Sequence, residues 1–177
     1  MKQILIAFST LGLILMLISC NGSNSHAPSY DGFDSTVEQY FVAATIKDFD
    51  TMKEYLPEAL INEDQELLGA EKGEILFPQY KEKLKDNYSI KGFDYYYKDF
   101  NQILYLIEYT DPVTSNRLFS IYGVENKKDG YQMMNRYDLK ISGLHFKEET
   151  SQSTITVSDL RELMEKHKNH VYSVDIS

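Results

Sequence analysis

The chain has 177 residues, of which 18 are basic, 27 are acidic and one is a cysteine, and its formal net charge at pH 7 is −9. This acidic balance, without any cluster of Lys or Arg, excludes a nucleic-acid-binding surface, because phosphate contacts need concentrated positive charge. A single cysteine excludes a disulfide framework and a thiolate metal site, so we expect packing alone to hold the fold.

The first 19 residues are typical of a secretion signal. Lys2 precedes an apolar stretch, residues 4–18, which as a helix would be roughly 22 Å long, shorter than the roughly 30 Å hydrocarbon core of a bilayer. The stretch ends in Leu17-Ile18-Ser19-Cys20, which resembles the bacterial lipobox. This resemblance implies that Cys20 receives a thioether-linked diacylglycerol and becomes the first residue of the mature protein.

Lipidation at Cys20 predicts an extracytoplasmic protein that is anchored to a bacterial membrane. One acyl chain gives only marginal attachment, whereas two or more hold a protein stably. Removal of Lys2 with the signal leaves 17 basic and 27 acidic residues, a net charge of −10. The alternative interpretation is a spare cysteine in an ordinary signal peptide.

Residues 20–34 are predicted to form a flexible tether. The sequence NGSNSHAPSYDGFD is rich in Gly, Ser, Asn and Pro and has no apolar periodicity. The remaining residues, 35–177, are enough for one domain with a sizeable core.

Helices are predicted first in this domain. Ser35 and Glu38 have the spacing of a capping box, and apolar residues follow at helical intervals to about Lys47. Asp50 is predicted to cap a second, short helix that stops at Pro57. Two further helices are predicted at residues 58–68 and 77–85. The acidic run NEDQE, which begins at Asn62, lacks the spacing of a calcium loop and is interpreted as solvated surface.

Strands are predicted next, because the periodicity changes to two from Ser89 onward. Four strands are predicted, at residues 89–99, 103–109, 118–125 and 131–141. Short joins rich in Asp, Asn, Pro and Gly favour an antiparallel meander. A last helix is predicted with Ser158 as its cap. The fold class is therefore α+β: N-terminal helices packed on a meander of about four strands, with a C-terminal helix.

The predicted strand 131–141 supplies the candidate ligand-binding residues. Its inward face includes Asn135 and Tyr137, and the neighbouring strand adds Tyr105. A buried amide without a partner would cost about 1 to 3 kcal/mol. Asn135 therefore either pairs with a tyrosine hydroxyl such as that of Tyr105 in a closed core, or faces a wet pocket that takes a ligand.

The segment STVEQYFVAATIKDFDTMKEYLP resembles the entry to the nuclear transport factor 2-like superfamily. The resemblance covers residues 35–141 and implies a cystatin-like α+β fold whose helices pack into the cup of a curved sheet. Enzymes of the ketosteroid isomerase type in that superfamily keep an Asp and tyrosines inside the cup. This chain departs from the pattern, because no strand or hairpin is visible in residues 58–87 and the last helix is an addition.

No catalytic residue, metal site or cofactor is predicted. His145, His167 and His170 have no recognised ligand spacing. We therefore expect a non-catalytic binding or interaction module that contacts an envelope protein or a small ligand. Two alternatives stay open: an immunity or exclusion-type lipoprotein that contacts an integral membrane partner, and a ketosteroid-isomerase-like cup enzyme.

Overall fold

A five-stranded antiparallel sheet forms the centre of the computed structural model, which describes residues 29–135 and 155–176. The strand order is β4-β3-β2-β1-β5. The strands are β1 (Tyr88–Phe93), β2 (Gln102–Thr110), β3 (Arg117–Lys127), β4 (Gly130–Met133) and β5 (Val171–Ser173). The helices are α1 (Asp31–Ile46), α2 (Phe49–Tyr55), α3 (Glu58–Glu63), α4 (Gln65–Gly69), α5 (Tyr80–Leu84), α6 (Tyr97–Phe100) and α7 (Val157–Lys166).

Helices cover both faces of the sheet, because alternate residues of the central strand β2 point to opposite sides. Ile103, Tyr105 and Ile107 pack in one cluster with residues of α1. Leu104 and Leu106 pack in a second cluster with residues of α7. This arrangement confirms the predicted α+β class, with N-terminal helices packed on an antiparallel sheet and a C-terminal helix.

The first helix begins earlier than predicted, at Asp31 rather than at Ser35. Tyr30 and Phe33 are buried in the cluster beneath α1, and burial of two aromatic side chains favours an ordered backbone there. The prediction that the tether extends to residue 34 is therefore wrong for residues 31–34.

Side-chain caps divide the early helices differently from the prediction. Asp48, not Asp50, caps α2 by accepting a hydrogen bond from the Thr51 amide. The helix predicted at 58–68 is two helices, because Asp64 is extended and its carboxylate accepts from the amides of Glu66 and Leu67. An aspartate that caps a new helix ends the preceding one.

The structure also corrects the predicted ends of one strand and two helices. The predicted strand 89–99 ends at Phe93, and the chain turns into α6. The helix predicted at 77–85 covers only Tyr80–Leu84. Thr156, not Ser158, caps α7 in a capping box with Asp159. Residues 136–141 of the predicted fourth strand lie outside the described residues.

The C-terminal segment adds a strand that the periodicity did not indicate. β5 pairs with β1, with Gly92 opposite Tyr172 and Phe93 opposite Val171. Three residues are too few for an alternating pattern to be recognised, so only pairing with β1 identifies them as a strand. Within residues 29–135 and 155–176, no helix has both the length and the apolar composition needed to cross a bilayer.

Candidate functional site

The candidate functional site is a groove of about 930 Å³ beside the edge of β3. Its walls come from the α3–α4 corner, from β3 and from the start of α7. We call it the edge groove. Its polar lining includes Tyr40, Glu63, Asp64, Tyr122 and Asn135, and its apolar lining includes Leu56, Leu60, Leu67 and Met133.

The ladder between β3 and β4 determines where the edge groove begins. β4 pairs with β3 from Val124 to Lys127, and one further backbone bond joins the Met134 amide to the Gly123 carbonyl. Residues 119–123 of β3 then line the edge groove. Among the described strands, none pairs with residues 119–122 on this side of β3. This wall therefore offers backbone polar groups as well as side chains.

Two tyrosines form the aromatic wall of the edge groove. Tyr40 of α1 and Tyr122 of β3 meet edge to face, with ring centroids 5.7 Å apart and planes at 78°. Both side chains are half-buried. Burial, and then the negative charge of Asp64, raises the pKa of Tyr40, so its hydroxyl stays protonated at neutral pH.

Asn135 lies in the lining of the edge groove and is half-exposed. The preceding residues Met133 and Met134 are buried in clusters on opposite faces of the sheet. Alternation therefore places Asn135 on the same side as Met133. Asn135 therefore lines the edge groove from the face of the sheet that Met133 occupies.

Tyr105 has hydrogen-bond partners other than Asn135. Its side chain is 0% exposed, and its hydroxyl donates to Asp34 Oδ1 at 2.7 Å and lies 3.3 Å from the hydroxyl of Tyr172. The closed-core alternative is therefore wrong for Tyr105, whose hydroxyl does not pair with Asn135. The other two predicted site residues, Cys20 and Tyr137, lie outside the described residues.

Asp34 is the centre of a polar network that joins α1, β2 and β5. Its Oδ1 also accepts a hydrogen bond from the Tyr172 hydroxyl at 2.7 Å. Burial raises the pKa of Asp34, and the two tyrosine hydroxyls oppose that shift by stabilising the carboxylate. Burial also raises the pKa of Tyr105 and of Tyr172, so both hydroxyls remain donors.

A second branch of the polar network joins the two ends of the described chain. The Tyr30 hydroxyl donates to Asp94 Oδ2 at 2.8 Å, and His170 Nδ1 lies 2.7 Å from Asp94 Oδ1. The rings of Tyr30 and Tyr172 are 5.4 Å apart, which connects the two branches. The network thus fixes the start of α1 and the segment around β5 against the sheet.

Members of the edge groove and of the polar network lie in segments that the sequence pattern does not mark as sites. Asp34 falls within the predicted tether, which separates it from Tyr105 in the predicted fold. The spacing of Tyr30, Phe33 and Val37, three and four residues apart, is the sequence signal that α1 begins earlier. Glu63 and Asp64 belong to the acidic run interpreted as solvated surface; both are exposed, and both line the edge groove.

Histidine side chains do not converge on a metal site within the described part of the chain. His170 binds Asp94, and the ring of His167 lies 4.2 Å from that of Tyr95. Among residues 29–135 and 155–176, no group of three or more His, Cys, Asp or Glu side chains is placed to hold a metal ion.

Comparison with known proteins adds no relative. The chain matches no protein-family model, no curated protein and no solved structure. The resemblances to the lipobox and to the nuclear transport factor 2-like superfamily therefore stay predictions.

Proposed function

We propose that the protein is a lipid-anchored, non-catalytic binding module that presents the edge groove to a ligand at the extracytoplasmic surface. The observation that carries the proposal is the edge groove itself. It combines the aromatic wall of Tyr40 and Tyr122 with apolar side chains and the amide of Asn135. The lining is about equally polar and apolar, and ligand sites combine apolar and aromatic side chains with a few polar groups that orient the ligand.

The geometry of the polar network supports a non-catalytic role. Asp34 beside Tyr105 has the residue types used by enzymes of the ketosteroid isomerase type. However, Tyr105 is fully buried and its hydroxyl is already bonded to Asp34. A general acid must reach the substrate atom that it protonates. The network therefore supports a structural role for this pair, in holding α1 and β5.

Site-specific crosslinking tests the edge groove as the binding surface. A photoreactive residue in place of Leu60, a half-exposed lining residue, should form a discrete adduct in intact membranes. The same substitution at Ser89, an exposed residue of β1 separated from β3 by β2, should not. Electrophoresis and mass spectrometry detect the adduct. Equal labelling from Leu60 and Ser89 would contradict the proposal.

A second candidate function is favoured by an exposed apolar strap, residues 75–77. Ile75, Leu76 and Phe77 are 42%, 43% and 36% exposed. Backbone hydrogen bonds hold the strap against the end of α1, from the Phe77 amide to the Ile46 carbonyl at 2.9 Å and from the Leu76 amide to the Lys47 carbonyl at 3.3 Å. Consecutive exposed apolar residues on a fixed backbone suit contact with a protein partner.

An immunity or exclusion-type lipoprotein would use such a surface to contact an integral membrane partner. A discrete adduct from a photoreactive residue in place of Leu76, with none from Leu60, would favour this function.

Replacement of Cys20 tests the membrane anchor. Cys20→Ser should abolish incorporation of labelled fatty acid and leave either an uncut precursor or released protein, because no other acylation site is predicted. Metabolic labelling and membrane fractionation measure both effects. A variant that is still processed and held in the membrane without acyl label would contradict the proposed anchor.

A further inference from the structure

The mouth of the edge groove is acidic. Glu63 ends α3, Asp64 follows it directly, and both side chains are exposed. The described lining residues include no Lys, Arg or His. Lys47 is paired with Glu66 at 3.3 Å rather than with either of these carboxylates. Among the described lining residues, a ligand that enters between α3 and β3 therefore meets the negative charges of Glu63 and Asp64 and no positive charge.

Asp64 is held in a fixed position, which makes its charge a stable feature of the edge groove. Its Oδ1 accepts from the amides of Glu66 and Leu67 at 2.9 and 3.2 Å. These two hydrogen bonds at the N-terminus of α4 restrict the rotation of the carboxylate. The charge of Asp64 also contributes to the raised pKa of Tyr40, after burial, so its field extends to the aromatic wall.

The aromatic wall, like the carboxylates, attracts cations. The faces of aromatic rings carry partial negative charge and attract ammonium and guanidinium groups within about 6 Å of the ring centre. Phe119, another lining residue, shows this interaction within the protein, because the guanidinium carbon of Arg161 lies 4.0 Å from its ring centre. Arg161 itself is not a lining residue. Leu56, Leu60 and Met133 supply apolar surface beside these rings.

We propose that the edge groove selects a ligand with an ammonium group on an apolar body, an inference that rests on the proposed function. The carboxylates of Glu63 and Asp64 attract the cation, and the leucine and tyrosine side chains contact the apolar part. The ammonium group belongs either to a small organic amine or to a lysine side chain within a peptide. Both sources share the chemistry that the lining recognises.

A matched pair of probes tests this charge selectivity on the full-length protein in nanodiscs of neutral lipid. The probes are 4-fluorophenethylammonium and 3-(4-fluorophenyl)propionate, which are similar in size and opposite in charge. Fluorine NMR titration, with nanodiscs without protein as the blank, gives each dissociation constant at low salt. The ammonium probe should bind about tenfold more tightly, since two nearby carboxylates act on it in the same direction.

Two glutamates at opposite ends of α3 provide the variant and its control. Glu63→Gln should weaken binding of the ammonium probe about threefold, and Glu63→Lys should weaken it further. Glu58→Gln removes an exposed carboxylate of the same helix that does not line the edge groove, and it should leave binding unchanged. Melting curves of the three variants separate a loss of affinity from a loss of structure.

The outcomes distinguish failure of this inference from failure of the proposed function. Equal affinity for the two probes, or preference for the propionate, would overturn the charge selectivity and leave the edge groove as a binding site. No binding of either probe would overturn the inference, while adducts from Leu60 would still support the proposed function.

Acetyl-Leu-Lys-Leu-amide, compared with its Glu counterpart, tests the peptide source of the ammonium group. Tighter binding of the Lys peptide than of the amine probe supports the inference in its peptide form.

Discussion

Replacing Gly92 with alanine should lower the free energy of unfolding by about 2 kcal/mol. A Cβ at this position would lie 2.2 Å from Cζ of Tyr172. The ring of Tyr172 has little freedom to move away, because its hydroxyl donates to Asp34. Strand propensity alone favours alanine over glycine, so the sign of the change reports on the contact with Tyr172. Urea denaturation followed by circular dichroism measures it.

Gly32 supplies the control for this prediction. A Cβ there would lie 2.1 Å from the ring of Tyr131, but the Tyr131 side chain is 38% exposed and can turn toward solvent. Gly32 also lies in α1, where alanine is a better helix former by about 1 kcal/mol. Gly32→Ala should therefore be nearly neutral. A destabilisation by Gly92→Ala that is no larger than that of Gly32→Ala would contradict the role of Tyr172.

Replacing Asp34 with alanine should lower the free energy of unfolding by about 3 kcal/mol. The change removes the acceptor of two tyrosine hydroxyls, and that of Tyr105 is fully buried. Tyr105→Phe alone should cost about 1.5 kcal/mol. The double variant should be more stable than additivity predicts by about 1 kcal/mol, because each single change already breaks the shared hydrogen bond. Denaturant titration of the four proteins gives the coupling energy.

The pH dependence of stability and a variant of a neighbouring aspartate provide the checks on this comparison of four proteins. Since burial raises the pKa of Asp34 in the folded protein, the folded state binds a proton more readily than the unfolded chain. The stability of the native protein relative to Asp34→Ala should therefore increase as the pH falls through that pKa.

Asp31→Ala, at an exposed position of the same helix, should change stability by less than about 1 kcal/mol. Additive effects of Asp34→Ala and Tyr105→Phe would contradict the network.

The order and type of most elements followed from local periodicity. The long apolar strands β2 and β3, the amphipathic helix α1 and the closing helix α7 were all predicted near their observed positions. The two helices carry apolar residues at helical spacing, and the two strands carry apolar runs on both faces, as expected of strands inside a sheet. Short joins between the strands then left an antiparallel arrangement as the simplest topology.

Boundaries and short elements depended on contacts that a local pattern does not contain. Asp50 and Asp64 both have the residue type of a cap, but Asp48 caps α2 and Asp64 caps a helix that the composition did not separate. The choice between neighbouring aspartates depends on which one lies just outside the helix with its carboxylate near the first free amides, and a local pattern does not specify that boundary.

The candidate sites show the same division between sequence and tertiary structure. The sequence by itself determined the α+β class, and the anchor at Cys20 stays a prediction from the sequence. Only the tertiary structure decided that Tyr105 pairs with Asp34 and Tyr172, which are 71 and 67 residues away from it in the chain. It also decided that Asn135 lies in the edge groove with Glu63 and Asp64. The physical reason is that a periodic pattern specifies which side of its own element a side chain occupies, whereas the partner across a core depends on how the elements pack.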